Sequence, residues 1–179
     1  MIAILVLIII VLLIVWAIST RNQIKGLEVK MEEAKSGIDI ALVKRYDILT
    51  ESLNVAKGYA VHERDVLVQL VEARRGMSLQ QTREVMENQE NAIGKLKIIG
   101  EAYPSLYSNE LFKELQDQIA VTNEHIGAAK RALNSNIALY NQKIVAFPAS
   151  IIAGTMGAGQ IAFFQETDER KMRDVEMRF

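Results

Sequence analysis

The chain has 179 residues, with 21 Lys and Arg against 22 Asp and Glu and a net charge of −1. This balance argues against a nucleic-acid-binding protein, which needs a basic face. Two prolines and few aromatic residues favour long helices over a sheet with recurrent turns, and the absence of cysteine is consistent with a reducing interior.

The chain begins with an apolar stretch at residues 2–18, and the first charge is Arg21. As an α-helix these residues rise about 26 Å, and their neighbours extend this to about the 30 Å of a hydrocarbon core. A buried strand would be shorter, and a signal peptide would carry a basic stretch before its apolar one. We therefore predict a transmembrane anchor at residues 1–20.

Lys and Arg residues flank the anchor on one side only, at Arg21, Lys25, Lys30 and Lys35. Positive residues next to a span are retained in the cytoplasm. We expect a single-pass membrane protein with its amino terminus outside and its body cytoplasmic.

A helical body is predicted for residues 21–148. Apolar residues recur every three or four positions from Ile24, which predicts one helix from the membrane to Arg75, where Gly76 provides a left-handed cap. Ser78 and Gln81 form a capping box that opens a second helix, which continues to about Glu101.

A third helix is predicted from Leu111 to Phe147, where Pro148 prevents continuation. Short connections make neighbouring helices antiparallel. The expected fold class is all-α, an antiparallel three- to four-helix bundle whose first helix is continuous with the transmembrane helix.

The last segment, residues 149–179, contains apolar residues and several glycines before a charged end. It either forms a short fourth helix that packs through Phe163 and Phe164 or pairs with a neighbouring copy, because an apolar run exposed on a monomer is unusual. We favour the second interpretation. The self-association candidates are Ile151, Ile152, Phe163 and Phe164.

The sequence predicts no catalytic, cofactor or metal site. His62 lacks a second histidine four residues later, where Val66 stands, and His125 is isolated. The glycines near residue 154 do not follow the spacing of a phosphate-binding loop. Serines such as Ser108 have no His and carboxylate pair nearby in sequence.

Polar residues within the predicted helices are costly to bury unless they are paired. We expect a polar network that fixes helix register, with a partner-binding patch as the functional alternative. The candidates are Asp39, Arg45, Asp47, Asn123, Glu124, Arg131, Asn134 and Asn141.

Several motifs together resemble the bacterial LemA family over essentially the whole chain. They are Ile38-Asp-Ile-Ala-Leu-Val-Lys-Arg-Tyr-Asp-Ile-Leu49, Lys57-Gly-Tyr-Ala60, Ala73-Arg74, Glu101-Ala-Tyr-Pro-Ser-Leu106, Thr122-Asn-Glu-His-Ile126, Tyr140-Asn141, Phe147-Pro148 and Phe163-Phe164. The resemblance implies a membrane span, a helical bundle and no established catalytic activity, and a relative in the family serves magnetosome formation. Thr50-Glu51 replaces the usual Pro-Asn, and Leu133 the usual Tyr.

These observations predict a non-catalytic structural or scaffold protein, anchored in membrane lipid, that self-associates as a homo-oligomer. The alternative is an adaptor or regulator of another membrane protein, such as a protease or signalling kinase.

Overall fold

A computed structural model describes residues 1–59 and 70–164, and every regular element in these ranges is an α-helix. The helices are α1 (Ile2–Lys57), α2 (Leu79–Ala102), α3 (Pro104–Tyr107), α4 (Glu110–Val145) and α5 (Ala149–Thr155). The predicted helical class is therefore confirmed. Predictions for His62, Val66 and the charged end lie outside the described residues.

Helix α1 joins the apolar stretch to the residues that follow it without a break. It continues through Thr50, whose hydroxyl donates to the Tyr46 carbonyl at 2.9 Å. The prediction that this helix reaches Arg75 is wrong, because it ends at Lys57. Gly58, a poor helix former, opens a tight turn in which its N–H bonds the Val55 carbonyl three residues earlier.

Gly76 adopts the predicted left-handed backbone, with φ of 75°, but in a turn rather than at the end of α1. The capping box of α2 is confirmed. The Ser78 hydroxyl accepts from the Gln81 N–H at 3.2 Å, and the Gln81 carbonyl oxygen Oε1 accepts from the Ser78 N–H at 2.9 Å. Both hydrogen bonds satisfy donors that a helix start leaves unpaired.

Helix α4 starts after Asn109, whose side-chain oxygen accepts from the Phe112 N–H at 2.9 Å. This bond caps the helix. Helix α4 ends at Val145, two residues before the predicted end at Phe147, and Pro148 directly precedes α5.

The described residues form two compact units. One unit contains Met1–Lys35 and Ala129–Phe163, and the other contains Ser36–Ala128 together with Phe164. Helices α1 and α4 each contribute to both. We call the first the membrane-proximal unit, because it contains the apolar stretch, and the second the polar-core unit.

The polar-core unit has an apolar cluster contributed by α1, α2, α3 and α4. Its members are Ile48, Leu49, Leu53, Ala56, Ala92, Leu96, Ile99, Leu106, Phe112, Leu115 and Ile119. Apart from the adjacent Ile48 and Leu49, the members on α1, α2 and α4 are three or four residues apart, which follows from the helical period.

In the membrane-proximal unit, side chains of α4 contact both α1 and the segment after α5. Asn136 donates to the Lys30 carbonyl at 3.1 Å. Asn141 donates to the Ile161 carbonyl at 2.8 Å and accepts from its N–H at 2.9 Å. Tyr140 is buried, and burial together with the nearby Glu28 raises its pKa.

We expect Leu96→Ala to lower the free energy of unfolding by about 2–5 kcal/mol, because it removes a fully buried side chain from the apolar cluster. Ile98→Ala is the matched control, since Ile98 lies on the same helix and is 66% exposed; it should change stability by about 0.5 kcal/mol or less. Thermal unfolding of the full chain in detergent, followed by circular dichroism, measures both. Equal effects would contradict the assignment of Leu96 to the core.

Candidate functional site

The most concentrated polar chemistry in the described residues surrounds Arg45 on α1. Only 1% of this side chain is exposed, and it follows the buried Leu42 and precedes the buried Leu49 on the same helix. A guanidinium removed from water is costly unless its N–H groups are hydrogen-bonded. The surrounding helices supply those acceptors.

Helices α2 and α4 both bind the Arg45 guanidinium. Nε donates to Gln89 Oε1 at 2.7 Å, and Nη1 donates to Asn123 Oδ1 at 2.7 Å and to a carboxylate oxygen of Glu90. Nη2 donates to the Met86 carbonyl at 3.5 Å. One side chain of α1 therefore holds two other helices at fixed positions along their axes.

The two ions of the Arg45–Glu90 pair differ in their burial. Burial lowers the pKa of Arg45 below its ordinary value, and the Glu90 carboxylate partly offsets this effect. The guanidinium nevertheless stays protonated at neutral pH. The Glu90 side chain is 57% exposed, so only the cation of this ion pair is fully removed from solvent. Neutral amides supply the remaining strong acceptors.

Asp39, buried to 1% exposure, occupies a second polar position on α1. One carboxylate oxygen accepts from the Gly76 N–H at 3.0 Å, and the other accepts from the Thr82 hydroxyl at 3.2 Å. Gln89 adds a further link, donating from Nε2 to the Leu42 carbonyl at 3.0 Å. Asp39 thus holds the start of α2 and the turn before it against α1.

The residues predicted for the polar network lie in different environments. Arg45 and Asn123 are bonded to each other, whereas Asp47, Glu124 and Arg131 are exposed at the surface. Asn134 and Asn141 are half-buried in the membrane-proximal unit. A network shared by all eight residues stays a prediction.

Helix α2 contributes three partners that were not predicted from the sequence: Thr82, Gln89 and Glu90. Gln89 is fully buried, three residues after Met86 and three before Ala92, so it occupies a core position in the helical period. A polar residue at a core position was the available signal.

The self-association candidates differ in exposure. Ile151 is 59% exposed, Phe163 is 47% exposed and Ile152 is half-buried. Phe164 is 2% exposed, and the Arg83 guanidinium carbon lies 5.5 Å from its ring centre. Phe164 is thus packed against its own chain.

No group of three His, Cys, Asp or Glu side chains in residues 1–59 and 70–164 is placed to hold a metal ion. A cavity of about 420 Å³ lies between α2, α3 and α4, lined by Leu96, Lys97, Gly100, Glu101, Pro104, Tyr107, Ser108, Phe112 and Gln116. The Ser108 hydroxyl there donates to the Pro104 carbonyl at 2.8 Å, an arrangement that does not activate a nucleophile.

These features define an all-helical protein with a candidate single-pass anchor and a body that contains a polar core. The chain belongs to the LemA family, whose sequence profile matches residues 34–179. It is 24% identical over 156 residues to the protein LemA of Metamycoplasma hominis, an alignment that covers 84% of this chain and 71% of that protein.

Two magnetosome proteins are also similar. Magnetosome protein MamQ of Magnetospirillum gryphiswaldense is 28% identical and MamQ 2 of Paramagnetospirillum magneticum is 26% identical, each over 76 residues. These alignments cover 42% of this chain but only 28% of either relative.

Arg45→Ala should lower the free energy of unfolding by about 3–5 kcal/mol, because it leaves buried amide acceptors without a donor. Arg131→Ala removes the same charge from an exposed position on α4 and should change stability by about 0.5 kcal/mol or less. Chemical unfolding of the full chain in detergent compares the two. An unchanged midpoint for Arg45→Ala would show that the polar core does not stabilise the fold.

Proposed function

We propose that this chain is a non-catalytic structural or scaffold protein, anchored in the bacterial inner membrane, that self-associates through its helical body. The observation that carries the proposal is the single helix Ile2–Lys57, which connects a membrane-length apolar stretch to the polar core. An anchor and a body that share one rigid element suit a protein that places a surface near the membrane.

The exposure of the apolar stretch supports the anchor. Its large side chains include Leu5, Leu12 and Ile14 at 54–62% exposure, and none of the side chains in the most apolar window is buried inside the chain. A contiguous surface of this kind is unfavourable in water and favourable in hydrocarbon. The 26 Å rise of residues 2–18 fits a single crossing.

Antiparallel packing of α1 with α4 is part of the proposal. Within the membrane-proximal unit, Asn136 bonds Lys30, and Tyr140, one turn further along α4, lies near Glu28 and Lys25. As the position in α4 increases, the position of its neighbour in α1 decreases. This is the order that antiparallel helices give.

Exposed apolar residues on the body helices support self-association. Val29 and Ile40 on α1 and Val121 on α4 are between 47% and 67% exposed. Single exposed apolar side chains are common on monomers, so these residues are positions at which a contact between copies can be tested rather than a contiguous patch. Two copies held in one bilayer are also concentrated and similarly oriented, which lowers the cost of their association.

When the full chain is extracted with its anchor into nanodiscs or mild detergent, the protein mass of each particle should correspond to more than one copy. Val121→Lys should reduce this mass, because a charge in an apolar contact is desolvated without a partner. Glu124→Lys, an exposed change one turn away on α4, should leave it unchanged. A monomer at all concentrations would contradict self-association, and a stoichiometric foreign protein would favour the adaptor role.

We further propose that the amino terminus lies outside and the body lies in the cytoplasm, because Arg21, Lys25, Lys30 and Lys35 all follow the apolar stretch. Protease added to intact spheroplasts should leave the body whole, whereas protease added after permeabilisation should degrade it. A periplasmic and a cytoplasmic marker protein serve as controls. Digestion of the body in intact spheroplasts would reverse the proposed orientation.

A further inference from the structure

An uncharged segment begins at the end of α4 and, except for Phe164, belongs to the membrane-proximal unit. After Lys143 the chain has no Asp, Glu, Lys or Arg from residue 144 to residue 164, although charged residues make up 24% of the whole sequence. Its exposed large apolar side chains are Phe147 at 84%, Ile151 at 59%, Val145 at 57% and Phe163 at 47%. Phe147 and Ile151 are the most exposed of the four, so burial within the unit does not explain why they are apolar.

The position of the start of this segment follows from a contact that α4 makes with α1. The Asn136 side chain donates to the Lys30 carbonyl at 3.1 Å. Val145 is nine residues beyond Asn136, a rise of about 14 Å. In the proposed antiparallel packing, the same step along α1 runs from Lys30 back to Arg21, directly after the apolar stretch and its first polar residues.

The burial of side chains along α1 shows independently where the unit stops covering this helix. Ile24 and Thr20 are buried, at 0% and 3% exposure, and Ala17 is half-buried, but the residues before Ala17 are exposed. The unit therefore covers α1 as far as the end of the apolar stretch and no further.

After α5 the chain runs back toward the middle of the last third of α4, so Phe147 and Ile151 differ in position from the residues that follow them. Ile161 is bonded on both its N–H and its carbonyl to the Asn141 side chain. The chain after α5 has thus turned back to a level near Tyr140. The turn at Phe147 and helix α5 are consequently the part of this segment nearest the apolar stretch.

We propose that Phe147 and Ile151 insert into the boundary between lipid headgroups and acyl chains, beside the point where α1 leaves the membrane. Side chains beside the point where α1 leaves the membrane meet lipid whenever the anchor is inserted. The uncharged segment avoids the cost of bringing charge to that boundary, and exposed apolar groups bind it by burying area. This inference rests on the anchor in the proposed function and gives the body a second lipid contact.

The absence of cysteine from the chain allows single-site labelling. Phe147→Cys and Ile151→Cys, each carrying an environment-sensitive fluorophore, are reconstituted as full chains in vesicles of equal parts phosphatidylcholine and phosphatidylglycerol. Leu139→Cys is the matched control, because Leu139 is an apolar residue of α4, 49% exposed, about two turns before Phe147. Ile8→Cys reports on the anchor itself.

Labels at Phe147 and Ile151 should emit at shorter wavelength than the label at Leu139. Lipids that carry a nitroxide near the headgroup should quench these two labels several-fold more strongly than the Leu139 label. Aqueous iodide should quench them several-fold less than the Leu139 label. The same pattern is expected at high and low protein-to-lipid ratio. Circular dichroism confirms that each labelled chain retains its helix content.

Two results would overturn the inference. If the labels at Phe147 and Ile151 emit and are quenched like the label at Leu139, the turn lies in water. If their protection from iodide disappears when the protein is diluted into more lipid, the surface contacts a second copy. The Ile8 label separates this failure from failure of the anchor. If Ile8 is quenched by nitroxides deep in the bilayer while Phe147 is not, the anchor stands and only the second lipid contact is wrong.

Discussion

The guanidinium of Arg45 is charged at neutral pH and almost completely removed from water, so the helices around it must supply its hydrogen-bond acceptors. Gln89, Asn123 and the Met86 carbonyl can do so only when α2 and α4 stand at particular positions relative to α1. A displacement of either helix by one turn, about 5.4 Å, would break these bonds. The apolar cluster alone is less selective, since its leucines and isoleucines recur every three or four residues.

Buried ions of this kind are weak evidence for added stability, because an apolar replacement of similar volume is often as stable. Their better-supported role is to select one arrangement among several of similar energy. Asp39 acts in the same direction at the other end of this polar core, where it fixes the turn at Gly76 and the start of α2. The long, periodic helices of this chain make such selection useful, because shifted registers would also bury apolar surface.

The features that depended on local chemistry were predictable from sequence. The capping box at Ser78, the end of α4 near Pro148 and the apolar stretch all follow from short-range steric, hydrogen-bonding or hydropathy rules. The end of α1 was not predictable in this way, because a weak helix breaker such as Gly58 has a small effect that tertiary context decides. Gln89 was missed, and the two interpretations of Phe164 were left open, for a related reason: a residue type indicates a preference for burial but not its partner.

The uncharged segment after α4 illustrates this limit most directly. Its composition is equally compatible with a core, with a contact between copies and with lipid, and composition alone does not separate these environments. The contacts of Asn136 and Asn141 add the missing information about position, because they indicate which part of the segment lies beside the end of the apolar stretch. Phe164 is buried whereas Phe147 is exposed, although both lie in the same uncharged segment. In the proposed insertion, position relative to α1, rather than hydropathy, therefore determines which apolar residues reach the bilayer.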